Sequence, residues 1–200
     1  MAPMSSTDTN APLARELRAR LIGVARDSIA HGLAHGRPLA VLVSEYPPAL
    51  KAIRASFVTL QIGGALRGCI GHLEAVQPLV VDVAENAFAA AFRDPRFPAL
   101  TAREWPDVEV HLSILTPAQP ITFVDEPDLL AQLRPGEDGL ILEDGPNRGT
   151  FLPSVWESLP DAGQFLTQLK RKAGLAANHW SEQLRIYRYS TESFGDADVA

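Results

Sequence analysis

Two hundred residues, 46% of them apolar, are enough for one domain or two closely packed subdomains whose core needs no disulfide or metal to fold. The chain has 18 Lys+Arg against 24 Asp+Glu, for a net charge of −6, and the excess is uneven: residues 1–100 hold 10 basic and 8 acidic residues, residues 101–200 hold 8 and 16. That balance argues against a general nucleic-acid binder, the single cysteine excludes an intramolecular disulfide, a four-Cys zinc site and a three-Cys iron–sulfur cradle, and no run approaches the ~18 apolar residues of a membrane span.

The first residues, MAPMSSTDTNAPLAR, have no apolar stretch of the kind a secretory signal needs, and 1–12 reads as a disordered tail. Without such a signal, a lone thiol fits a reducing cytoplasm. Leu13, Leu17, Leu21 and Val24 recur at steps of three and four, which predicts an amphipathic helix over 12–34 ending at Gly36. ASFVTLQI (55–62) and ALRGCIGHL (65–73) read as two strands joined by the hairpin signal Gly63-Gly64. An Ala-rich helix follows over 77–92, then a loop over 96–106. DVEVHLSIL (107–115) alternates Val108, Val110, Leu112 and Ile114 inward, so Glu109, His111 and Ser113 share the other face. ITFV (121–124) reads as a short strand and 126–134 as a short helix. GLILED (139–144) and GTFLP (149–153) pair across a turn of Gly145, Pro146 and Asn147. Asp161 caps a helix to Lys172, closed by Ala173-Gly174, with Lys170, Arg171 and Lys172 as a solvated last turn. LRIYRYS (184–190) is the final strand. Hairpins outnumber βαβ units, so the class is α+β with a mainly antiparallel sheet and flanking helices, arranged as two closely packed subdomains.

The stretch richest in chemistry is Leu66-Arg67-Gly68-Cys69-Ile70-Gly71-His72. Strand alternation puts Arg67, Cys69 and Gly71 on one face and Gly68, Ile70 and His72 on the other. A guanidinium beside the thiol favours the nucleophilic thiolate, and glycines around it suggest an open floor. The same pattern also fits a packed, inert cysteine on a kinked strand. In Phe92-Arg93-Asp94-Pro95-Arg96-Phe97-Pro98, Arg93 and Arg96 form either an anion fork, with Asp94 holding one of them, or an ion pair tying loop to helix. Asp27, His31 and His35 share a helical face but read as dipole complement rather than metal ligands. Trp105, Trp156 and Trp180 read as core anchors. Nucleotide-loop, zincin and nucleophile-elbow motifs are absent, and neither a metal nor a cofactor is expected.

Leu66–Gly71 resembles the hexapeptide that marks the AMMECR family, which in bacteria is component A of the three-part AmmeMemoRadiSam system. FVTL (57–60), DPRFP (94–98), SILTP (113–117), FLP (151–153), FLTQLKRKAGL (165–175) and Trp180 fall in the family's order, so the resemblance covers 13–194. It implies an α+β domain of two subdomains over 13–194, with 195–200 as a C-terminal tail and the hexapeptide lining a cleft. It also implies two partners, a Memo-family protein and a radical S-adenosylmethionine enzyme. Many relatives carry a second cysteine where this chain has Lys170, which leaves Cys69 as the thiol to watch. Two functions lead, ahead of a single-stranded RNA binder that the net charge disfavours. In one, the chain is a cytoplasmic accessory module that binds a small molecule or peptide through Arg67, Gly68, Gly71, Asp94 and Arg96, with neither nucleic acid nor membrane as a partner. In the other, it is an enzyme with Cys69 as nucleophile or redox thiol.

Overall fold

The computed structural model describes residues 12–199. The expected tail at 1–12 lies outside them except for its last residue. The described residues form six α-helices and two four-stranded sheets, distributed over two compact units: one runs to Leu115 and takes in the chain again from Glu192, the other is Thr116–Thr191.

The first unit opens with α1 (Arg15–His35), which ends where Gly36 adopts a left-handed φ of 67°. After α2 (Pro48–Lys51), strands β1 (Ser56–Ile62) and β2 (Ala65–Gly71) form the expected hairpin. Gly63 and Gly64 turn it with φ of 56° and 78°, the two consecutive positive values a tight hairpin turn demands. Helix α3 (Leu79–Phe92) and β3 (Val108–Leu115) complete the frame, and β1 pairs antiparallel with β3 along its whole length. The sheet order is β2-β1-β3-β8, where β8 (Thr191–Gly195) is the returning C-terminal strand. Val58 and Leu60 from β1, the four alternating residues of β3, Val83 and Ala87 from α3, and Leu21 and Ile29 from α1 make one buried core.

The C-terminal residues therefore differ from the expected tail. Residues 191–195 add a strand and Asp196–Val199 form α6. Glu192 accepts from the Leu13 N–H and from Arg18, while Asp196 accepts from Arg26 and the Val110 N–H. These are long-range bonds, which a pattern of local apolar periodicity does not register.

The second unit holds β4 (Gln119–Ile121), α4 (Glu126–Gln132), β5 (Gly139–Asp144), β6 (Asn147–Phe151), α5 (Ala162–Lys172) and β7 (Arg185–Tyr189), with sheet order β4-β7-β5-β6, antiparallel throughout. Trp156 stacks on Phe165 at 3.8 Å between ring centroids and donates its indole N–H to the Asp138 carbonyl, so the indole is buried without an orphaned donor. Asp161 caps α5 by accepting from the Gln164 N–H, and Gly174 (φ 83°) follows its end. The strand expected at 121–124 lies two residues earlier. Asp128 draws off the Val124 N–H, Gln132 takes the Thr122 carbonyl, and Asp125 caps α4, so the chain leaves the ladder after Ile121. The β5–β6 turn is two residues long, Gly145-Pro146, and Asn147 already pairs with Asp144.

Candidate functional site

Strand β2 runs along the outside of its sheet, with β1 on one flank only. Its register slips between Leu60 and Gln61, so Arg67 is the extra residue of a bulge and Thr59 faces Cys69 directly. The next chain segment, after α3, comes back to the free flank. Asp94 Oδ2 accepts from the Cys69 N–H at 2.8 Å, and Arg96 Nη2 donates to the Cys69 carbonyl at 3.2 Å. A carboxylate and a guanidinium thus bond the two main-chain groups that point away from β1.

The two side chains also hold each other. Arg96 Nε donates to Asp94 Oδ1 at 2.9 Å and Nη2 to Oδ2 at 2.7 Å, and the Arg96 N–H closes on Oδ1 at 3.1 Å. Asp94 is 4% exposed. The Arg96 hydrogen bonds, with the Cys69 N–H in support, hold its carboxyl well below the usual range despite the opposing cost of burial, and Asp94 in turn raises Arg96. Arg67 is gripped in the same manner: Nε and Nη2 donate to Glu104, and Nη2 also to the Pro98 carbonyl. The Arg67 hydrogen bond, and then those from Thr101, lower Glu104 to about 2.

The sequence-derived site residues are therefore assembled, but their charges are already engaged, Arg96 with Asp94 and Arg67 with Glu104. Arg67 is not left free to face the thiol, since Glu104 takes its guanidinium. Of the two arginines of the expected fork, Arg96 is the one that Asp94 holds, while Arg93 lies over the Phe88 ring at 5.0 Å. The glycines do not open a floor beside the sulfur. A Cβ on Gly68 would sit 2.2 Å from the Ala90 carbonyl oxygen, and one on Gly71 would sit 2.3 Å from the Phe57 ring, so the space is filled by α3 and by β1. Each glycine is a point of close backbone approach.

Cys69 is half-buried, and the Thr59 hydroxyl donates to its sulfur at 3.2 Å. His111 stands opposite Thr59 on the next strand, its Nε2 buried and without a hydrogen-bond partner. Cys69, Thr59 and His111 thus make a row across β2, β1 and β3. His72 belongs to the helix side. Its Nδ1 meets Asp82 at 2.7 Å, and this buried carboxylate also accepts from Ser56 and Asn86. Asp82, Asn86 and Glu104 escaped the sequence reading. Asp82 and Asn86 sit one turn apart in an apolar helix, and that interruption is the signal that marks them. The His31 and His35 rings meet at a tilt, 4.3 Å between centroids, and no group of three His, Cys, Asp or Glu that could hold a metal occurs among the described residues.

In the second unit, Lys170 is not part of a solvated helix end. It is fully buried, ion-paired to Glu126 at 2.6 Å and 5.5 Å from the Trp180 ring centroid. Trp180 itself is 37% exposed and not a core anchor. No helix among the described residues is long and apolar enough to cross a membrane.

The two units, each an antiparallel sheet with helices, and the side-chain clamp on a glycine-flanked cysteine define an α+β protein whose distinguishing element is β2. A sequence profile of the AMMECR1 family matches residues 22–194, and the chain belongs to that family. A protein from Methanothermobacter thermautotrophicus is 38% identical over 190 residues, covering 92% of this chain and 96% of that protein. One from Methanocaldococcus jannaschii is 36% identical, covering 79% and 81%. The crystal structure of an uncharacterized protein from Pyrococcus horikoshii superposes with a TM-score of 0.81 at 33% identity, over 92% of this chain and 93% of that one.

Proposed function

We propose that this AMMECR1-family chain is an accessory module of the cytoplasm. In this reading it works beside a Memo-family protein and a radical S-adenosylmethionine enzyme, and it receives a small molecule or peptide at Leu66–Gly71. The observation that supports a binding role over catalysis is the environment of the thiol. Cys69 is fixed through its main chain by Asp94 and Arg96, and its sulfur accepts from the Thr59 hydroxyl with the Arg96 guanidinium close beside it, so the groups around the thiol are donors. A nucleophile needs a base within hydrogen-bond reach, and among the described residues neither a histidine nor a carboxylate is hydrogen-bonded to the sulfur. Arg67 and Arg96 act here as braces for the strand that meets the ligand.

Co-expression of the tagged chain with the Memo-family and radical S-adenosylmethionine proteins of the same genome tests this reading. The expected result is a complex that co-elutes on size exclusion and survives Cys69→Ser. Failure of the three to associate, together with a Cys69 that is alkylated faster than a free thiol at neutral pH, would transfer the case to the enzymatic alternative. In that alternative Cys69 is the nucleophile and His111, through Thr59, is the nearest proton acceptor in register.

A further inference from the structure

Beyond the pair Ile121↔Ile186 the strands β4 and β7 part, and a cavity of about 520 Å³ opens in the fork. That is a small-ligand volume. Phe123, Val124 and Trp180 form its apolar wall. The Phe123 and Trp180 rings meet edge to face at 5.5 Å between centroids, and Val124 is 86% exposed. The indole is backed by the buried Lys170 ammonium, and the segment leading into β7 is pinned where His179 and Ser181 both bond Asp144. The wall is thus fixed before anything binds.

Arg185 lines the same fork. Its Nη1 donates to the Glu182 and Leu184 carbonyls at 2.9 and 3.1 Å, which sets the plane of the guanidinium. Its Nε and Nη2 edge makes no hydrogen bond to a carboxylate among the described residues; Asp144 feels its charge, but that carboxylate is bonded by His179 and Ser181. Glu143, across the strand pair from it, is taken by Arg148 at 3.1 Å. Elsewhere in the chain this same edge grips a carboxylate: Arg67 on Glu104, Arg96 on Asp94, and Arg134 on Asp138. The geometry is that of bidentate carboxylate recognition, already paid for in side-chain entropy. Phe123, past the last ladder pair, keeps a main-chain N–H and C=O with no hydrogen bond among the described residues.

We propose that this fork binds the C-terminal residue of a polypeptide that ends in a large apolar or aromatic side chain. Arg185 takes the α-carboxylate through Nε and Nη2, the Phe123 peptide group pairs with the last amide, and Trp180, Phe123 and Val124 receive the side chain. The exposed Glu182 at the same site disfavours an acidic terminal residue. The site shares no residue with β2 or its clamp, so its fate is independent of the function proposed above.

The test is calorimetric titration of the full chain with N-acetyl-leucyl-phenylalanine as free acid, with its carboxamide, and with 3-phenylpropionate. The free acid is expected to bind at least about tenfold more tightly than either of the others, since one charged bidentate contact separates acid from amide. Arg185→Gln should erase the preference while the circular dichroism spectrum stays that of the parent. On the parent chain the free acid should also shift the Trp180 indole N–H resonance. Equal affinity for acid and amide, or no binding and no shift, overturns the site. Affinity for 3-phenylpropionate equal to that for the dipeptide overturns the peptide assignment and leaves a small-acid pocket.

Discussion

Replacing Asp94 by Asn is the sharpest probe of how β2 is held. The two side chains have the same shape, but each Asp94 oxygen serves two donors: Oδ2 takes the Cys69 N–H and Arg96 Nη2, and Oδ1 takes the Arg96 N–H and Nε. Whichever way the amide turns, its NH2 faces two N–H donors. Two hydrogen bonds to a charged group are lost, and buried donors are left facing one another. Such bonds contribute about 1.5–3 kcal/mol each, and the Arg96 side chain, 54% exposed, recovers part of the loss by turning to water. A net destabilisation of about 2–4 kcal/mol follows, or several degrees in Tm at about 2–4 °C per kcal/mol for a chain of this size. Urea unfolding followed by circular dichroism measures it directly. The variant should also alkylate faster at Cys69, because the strand is freed on its outer flank. A change within about 0.5 kcal/mol, the range of an ordinary surface substitution, would refute the claim that this carboxylate holds the strand.

Glu104 is held down to about 2 from an ordinary 4.5, so its contribution is complete above pH 4.5 and is lost as pH falls toward 2; Glu104→Gln should flatten the acid limb of a stability–pH profile in that window and lower stability at pH 7. Gly68→Ala should cost about 1–3 kcal/mol, because the added methyl meets the Ala90 carbonyl, part of a rigid helix backbone; a neutral outcome in urea melts would mean that α3 does not pack as described. Lys170→Met keeps most of the buried volume and removes an ammonium, while Glu126 retains access to water at 39% exposure, so stability should hold or rise, whereas Lys170→Ala should lose about 2–5 kcal/mol to the cavity in thermal melts.

Much of the fold is legible in residue patterns because its signals are local. The Gly63-Gly64 turn, the alternation along β3, the Asp161 cap and the glycine after α1 each act within a few residues, and the elements they shape lie within three residues of their expected bounds. What escaped is carried by long-range polar bonds. β8 is polar and contains glycine, and its register is assured by Glu192 and Asp196 reaching α1 and β3. β4 is cut short by side chains of the helix that follows it. The candidate site divides along the same line. Arg67, Cys69, Asp94 and Arg96 were identified as a group, but strand alternation describes faces, and the bonds that join them lie in the plane of the sheet. Arg67 looked available because its partner, Glu104, is 37 positions away.

The side-chain clamp on Cys69 has a further consequence, for solubility. A strand with one unpaired flank is a template on which another chain can extend the sheet, and the usual guards are lysine, proline or a charge pointing inward. From Gly68 to Leu73 this chain has no such guard, and the stretch combines an apolar bias with little charge. Asp94 and Arg96 stand in for an absent neighbour, offering an acceptor to the N–H and a donor to the carbonyl as a fifth strand would. When the clamp is broken, the exposed groups remain the same but a second molecule can supply their partners. Clamp variants are therefore expected to form concentration-dependent aggregates rich in intermolecular β-structure, well below the temperature at which the parent unfolds.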